Sequence, residues 1–410
     1  MYLDYLSACI IDRSRAGHSC GTAPLWIEHR SGNRDLGAHV RTRWLEDCAW
    51  PLWLEHGVDW KRRAFHEHVD LASLRCRAEF RRLRVAARQT YVFSKAAGHG
   101  VPGARDAVSL GLDFLRGPAR LADGGFAWRF DLDNRPIDHT RDLYDHAFVL
   151  LAFAAATPVV GAESLHAEAV ALTEYIAENF AHPAGGYEES IPSAMPRRQN
   201  PHMHLLEALM AAHDAFGDEI FFDRAEELVL IFLSRLFQAA EGALPEYFDA
   251  ALAPQREAGR FLVEPGHHYE WVWLLDWYAR SAAATGRPAR PELRQASDSL
   301  FEFAGRFAID PITGLVVNSV WSDGSPRDGD FRLWPQTERL KAEARRENAA
   351  SDHLAPALVA LGKHFEGVRP GLWIERLDAD GHGGGDPAPA TSLYHLTAAL
   401  TDQAVVALTR

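Results

Sequence analysis

Three histidines open three separate helical stretches: His204 in RRQNPHMHLLEA, His267 in EPGHHYEWVWLL and His395 in TSLYHLTAAL. Imidazole titrates near neutral pH and can both take and return a proton. One histidine in such a place is more often structural, but three at comparable positions point to acid/base chemistry. Glu270 follows His267 by one helical step, so it is expected to orient that ring and raise its basicity. Arg88, in RLRVAARQTYVF, is a charge on an otherwise apolar helix. Facing inward, its guanidinium suits negative charge developing on an enediolate oxygen. Tyr144 in DLYDHAF and Trp334 in RLWPQTERLKA offer flat surfaces for a sugar ring, although aromatics at such spacing usually belong to a core.

Other chemistries are poorly served. His202 and His204 form an H-x-H, and His267 and His268 are consecutive. Neither is the i, i+4 pair of a helical zinc site, and no cysteine completes a shell, so no metal is expected. Gly98–Gly103 fits G-x-G-x-x-G but follows a helix and contains Pro102, and no Gly-Lys-Ser/Thr follows Gly381–Gly385; no cofactor is expected. Lysine occurs only at 61, 95, 341 and 363, away from the candidate residues, which argues against a Schiff base. A net charge of -13 opposes a nucleic-acid partner and leaves no basic segment for a membrane surface. Cys9, Cys20, Cys48 and Cys76 form no C-x-x-C pair, the N-terminus makes a poor signal peptide, and no run of 18 apolar residues is evident. A cytoplasmic monomer or homo-oligomer acting on a small molecule is expected.

The elements that must position these side chains recur. A bulky apolar residue in a glycine-marked turn appears at Phe65, Phe126, Tyr187, Tyr247, Leu315 and Trp373, at intervals of 61, 61, 60, 68 and 58 residues. About twenty residues after each comes Arg88, Tyr144, His204, His267, Trp334 or His395. Between turns, a nearly all-apolar helix such as DLYDHAFVLLAFAA alternates with an amphipathic one such as SLHAEAVALTEYIAEN. Buried and half-buried helices alternating over six units predict an all-α (α/α)6 barrel. Short alternating runs, FAWRFDLD and VVNSVWSD, predict β-hairpins at one face. Residues 1–38 lie outside the repeat and are expected to be a poorly ordered extension, with a single catalytic domain over 39–410.

Six segments in order, RLRVAARQTYVFSKA, DLYDHAFVLLAFA, RRQNPHMHLLEA, EPGHHYEWVWLL, RLWPQTERLKA and SLYHL, resemble the N-acylglucosamine 2-epimerase superfamily, most closely its mannose isomerase branch. The resemblance implies cofactor-independent chemistry at C2 of a hexose. It also implies that His267 and His395 are the acid/base pair, that Glu270 supports His267, and that His204 and Arg88 hold the reacting end of the sugar. Asn200, Tyr144, Trp334 and Gln336 would be further substrate contacts. The reaction expected is aldose–ketose isomerisation of the D-mannose/D-fructose kind, with 2-epimerisation as the alternative. A glycoside hydrolase on the same scaffold would use carboxylates such as Asp145, Glu188 and Glu246. No extra cationic cluster for an anionic sugar is evident beside Arg88.

Overall fold

The structure, a computed structural model, describes residues 42–346 and 349–409; the expected extension over 1–38 lies outside the described residues. After a π-helical turn at Leu45–Ala49, the helices are α1 (Trp50–His56), α2 (Leu83–Gly98), α3 (Ala104–Arg116), α4 (Leu143–Val160), α5 (Glu163–Asn179), α6 (Gln199–Phe216) and α7 (Glu219–Ile231). Then follow α8 (Pro265–Ala284), α9 (Pro291–Phe307), α10 (Leu333–Glu343), α11 (Ser351–Gly362), α12 (Ala390–Leu400) and α13 (Gln403–Leu408). The even-numbered helices α2 to α12 pack each on the next, and α12 packs back on α2. Each of α2 to α10 also packs on the odd-numbered helix that follows it. In α4, Leu143 and Ala147 to Ala154 are all buried, because neighbours cover it on several sides. This helix is apolar and long enough to cross a membrane, and here it is a wall of the ring.

Ring closure is repeated in the strands. The two residues preceding each even-numbered helix pair antiparallel with the turn one repeat on. Arg81–Arg82 pairs with Arg129–Phe130, Arg141–Asp142 with Ser190–Ile191, and Arg197–Arg198 with Tyr247–Phe248. Leu262–Val263 pairs with Ser319–Trp321, Phe331–Arg332 with Arg376–Leu377, and Ala388–Pro389 returns to His68–Val69. The two expected hairpins form at Arg129–Phe130/Pro136–Asp138 and Ser319–Trp321/Pro326–Asp328.

A buried clamp ties each of four turns to the helix after it. His146, His202 and His268 accept the backbone N–H of Phe126, Tyr187 and Leu244 at Nε2, at 3.1, 3.0 and 3.0 Å. Gln336 takes the corresponding place, accepting from Val316 N–H at 2.8 Å and donating to Val316 C=O at 2.9 Å. The fourth turn is therefore phased on Leu244, three residues before Tyr247. Burial lowers all three clamp histidines to about 4, so Nε2 stays an acceptor at neutral pH. His202→Ala strands the buried Tyr187 N–H and is expected to cost about 1–3 kcal/mol, read from urea unfolding. His202→Gln should recover most of that loss, as Gln336 does natively.

Candidate active site

Counted from the last strand residue, the helices present side chains to the ring interior in layers. Arg82 to Arg88, Asp142 to Phe148, Arg198 to His204, Arg332 to Glu338 and Pro389 to His395 are each six steps; Val263 to Glu270 is seven because Glu264 lies between the strand and α8. Nearer the strands lies a second layer holding Arg84, Tyr144, Asn200, Trp334 and Thr391, with His267 between the two. Both layers line a cavity of about 290 Å³. The structure brings Arg88, Tyr144, Asn200, His204, His267, Glu270, Trp334 and His395 to this cavity. Gln336 is the exception. Its amide is consumed by the Val316 clamp, which leaves nothing to offer a substrate.

Each candidate histidine has a carboxylate against Nδ1, fixing the ring and directing Nε2 elsewhere. His267 meets Glu246 at 2.8 Å, His395 meets Glu338 at 2.9 Å, and His204 meets Glu207 at 3.0 Å. The rings of His267 and His395 both lie against Trp334, with centroids 4.8 and 5.8 Å from it. Gly266 allows this, since a Cβ there would lie 2.5 Å from the Trp334 ring. Burial alone lowers a histidine. In His267 burial is opposed by the Glu246 and Glu264 carboxylates, which together hold the ring above its ordinary value. In His395 burial prevails and takes the ring down to about 4, as it does in His204. The two rings beside Trp334 thus differ in basicity.

Glu270 does not support His267. Side chains in the first turn of a helix lean back toward its N-terminus, which carries His267 to Glu246 on the preceding turn. Glu270 points inward instead, 3.7 Å from His204 Nδ1, with neither oxygen hydrogen-bonded. Burial and the neighbouring Glu338 raise it well above its ordinary value, which favours the protonated form. Glu338 is the opposite case. Burial opposes its charge, but Lys341 Nζ at 2.6 Å and His395 hold it at about 2, and Trp273 Nε1 donates at 2.9 Å.

Arg88 is 4% exposed and has no carboxylate at ion-pair distance among the described residues. One Nη donates to the Tyr144 hydroxyl, the other reaches Thr391 C=O at 3.4 Å, and the guanidinium lies 4.1 Å over the Phe148 ring. A buried cation without a paired anion is suited to an oxyanion that appears only during reaction. Asn200 is the second residue of α6 rather than its cap, and its Oδ1 has no hydrogen-bond partner.

Several participants escaped sequence reasoning. Glu207 and Glu338 could have been found, Glu207 by its i, i+3 spacing from His204 and Glu338 by its layer position. Glu246 lies in a turn, and no spacing links it to His267. Lys341 was set aside with the other lysines, yet it sits behind His395 through Glu338. The mouth also holds Arg82, Arg84, Arg198 and Arg332, correcting the expectation of no cationic cluster. Backbone N–H and Nε of Arg82 grip Glu67, and those of Arg198 grip Glu189. Two buried triads, His204–Glu207–Glu270 and Glu270–Glu338–His395, bring ligand atoms within 4.8 Å, a grouping the sequence had not suggested; Lys341 already supplies a cation to the second. The hydrolase candidates are engaged elsewhere: Asp145 pairs with Arg84, Glu188 takes the Ser193 hydroxyl, and Glu246 holds His267.

Comparison with known proteins places the chain among sugar-converting enzymes. The chain is 36% identical over 376 residues to the mannose-6-phosphate isomerase of Rhizobium meliloti (strain 1021), covering 87% of this chain and 94% of that one. It is 34% identical to the D-mannose isomerase of Thermobifida fusca, over 63% of this chain and 67% of the relative. In fold it resembles the cellobiose 2-epimerase of Spirochaeta thermophila DSM 6192, with a TM-score of 0.77, 22% identity, and 90% and 96% of the two chains covered. Residues 65–399 match the family model for N-acylglucosamine 2-epimerase (GlcNAc 2-epimerase). With that match spanning most of the chain, the protein belongs to the N-acylglucosamine 2-epimerase family of sugar isomerases and epimerases.

Proposed function

We propose that this chain is a cofactor-independent aldose–ketose isomerase of the D-mannose/D-fructose kind, working in a single (α/α)6-barrel domain over residues 39–410. The observation that carries the proposal is the pair His267 and His395, each pinned by a carboxylate and each with its ring against Trp334. In this reading the open-chain sugar lies along Trp334. Neutral His395 takes the C2 proton through Nε2, and its Nδ1–H stays on Glu338. Arg88, with Tyr144 beside it, faces the oxygen on which negative charge develops. Protonated His267 gives a proton to O1 and takes back the O2 proton as the C2=O bond forms, while His204 and Asn200 hold hydroxyls. Return of the proton to C1 gives the ketose.

The acid/base assignment fixes the pH profile. His395 must be neutral, so kcat/KM should fall only as pH drops toward about 4. His267 must be protonated, so the rate should fall as pH rises beyond a value above the ordinary 6.5. A bell-shaped profile measured by ketose formation checks both limbs; an acid limb near 6.5 contradicts the assignment to His395.

Two variants of the reading have their own support. Two acid/base rings beside Trp334 could between them return a proton to either face of C2, which would make an epimerase. The Nη groups of Arg82 and Arg198, free of protein partners among the described residues, and the Rhizobium meliloti relative's name favour testing a phosphorylated mannose beside mannose itself. Incubation of each sugar in deuterated water decides. Fructose or its phosphate supports isomerisation, a 2-epimer supports epimerisation, and no C2-hydrogen exchange with any of them overturns the proposal.

A further inference from the structure

Hexoses reach the enzyme as closed rings, and the proton transfer just described needs an open chain. Glu375 is a cavity carboxyl with no part in that transfer. It sits immediately before Arg376–Leu377, the strand pair of Phe331–Arg332, and its backbone C=O accepts Leu333 N–H at 3.0 Å. The side chain is thereby held beside the start of α10, close to Trp334. Trp373 Nε1 donates to Oε2 at 3.1 Å, and the Ser392 hydroxyl, one turn before His395 on α12, lies near enough to favour the charged form of the carboxyl. The other carboxylates lining the cavity are otherwise engaged. Glu246 holds His267, Glu264 pairs with Arg332 at 2.8 Å, and Glu270 lies a layer deeper beside His204.

We propose that the Glu375 carboxyl opens the sugar ring as a bifunctional acid–base. One oxygen delivers its proton to O5 as the C1–O5 bond breaks and its electron pair goes to O5. The other oxygen takes the O1 proton as the O–H pair becomes the C1=O bond. Glu375 ends as it began, a neutral acid, so no co-reactant is needed and His395 remains free for C2. The inference rests on the isomerase reading only in placing C1 near His395. Burial pushes Glu375 up to about 7 despite Ser392, Trp373, Arg332 and Arg376 around it, so the neutral form is available below that pH.

A 2-deoxyhexose tests this, because it opens and recloses but has no C2 hydroxyl and forms no enediolate. Anomer interconversion is followed by exchange NMR. The wild-type protein is expected to accelerate interconversion well above buffer, with a rate that falls as pH rises through about 7. Glu375→Gln should lose about 10²-fold and that pH limb, and Glu375→Asp should restore part of both. A Glu375→Gln protein as fast as wild type, or a wild type no faster than buffer, overturns the assignment. Intact anomer exchange with no C2-hydrogen exchange on mannose supports the assignment while removing the isomerase reading.

Discussion

Alanine at His267 or His395 is expected to lower kcat for ketose formation by about 10²–10⁴-fold with the fold retained, the range for loss of a positioned acid or base. The two variants should fail differently. His395→Ala removes the group assigned to C2 and should abolish exchange of the C2 hydrogen with solvent. His267→Ala removes the acid, so slow exchange should persist while net conversion falls. The double variant should be little worse than the poorer single one, because residues acting as a unit are not additive. Full activity in both single variants would sink the assignment. Melting curves provide the folding control, since both rings are at the cavity edge of their helices.

Glu338→Gln is expected to be the most destabilising of the site variants. Removing one partner of a buried ion pair leaves the other charge uncompensated, at about 3–5 kcal/mol. Here the stranded group is Lys341, 2% exposed and stacked 3.9 Å from the Trp273 ring. Adding Lys341→Met should return much of the stability but not the activity, because His395 would still lack its anchor. Unfolding and turnover measured on single and double variants separate these effects; recovery of both together would mean that Glu338 acts only on the fold. Acid stability follows from the same groups. Glu338 has a folded value depressed to about 2, so its contribution is present above the unfolded carboxylate range and is lost as pH falls through 2. Buried His146, His202, His204, His268, His364 and His395, all lowered to about 4, bind protons more readily when unfolded. They should make the melting temperature fall as pH drops from about 6.5 toward 4, with His267 opposing the trend.

Much of the architecture was legible because burial is written along each helix. DLYDHAFVLLAFAA is apolar nearly all round, a pattern that fits a helix covered on several sides. The recurring turns gave the six units their order, and the helical starts of the three candidate histidines placed them near one another. Phase was read less well. Tyr247 took the place that belongs to Leu244, because an aromatic in a glycine turn looks the same whether it is clamped by a histidine or lines the mouth. Gln336 was assigned to the substrate by the family resemblance, although two residues beyond Trp334, about 200° round the helix, it faces a backbone clamp instead of the cavity.

By itself the sequence determined the residue types and their repeat: three histidines and an arginine at helix starts, and six helix pairs to carry them. Only the tertiary structure decided which carboxylate each histidine meets. Glu246 reaches His267 from a preceding turn, Glu338 reaches His395 across two helices, and Glu270, the sequence neighbour, serves neither. These contacts join positions 21 and 57 residues apart, and no local periodicity constrains them. The balance that follows, His267 held up by its carboxylates and His395 held down by burial, depends on depth and on Lys341 behind Glu338. Those are properties of the packed ring, which exist only once it closes.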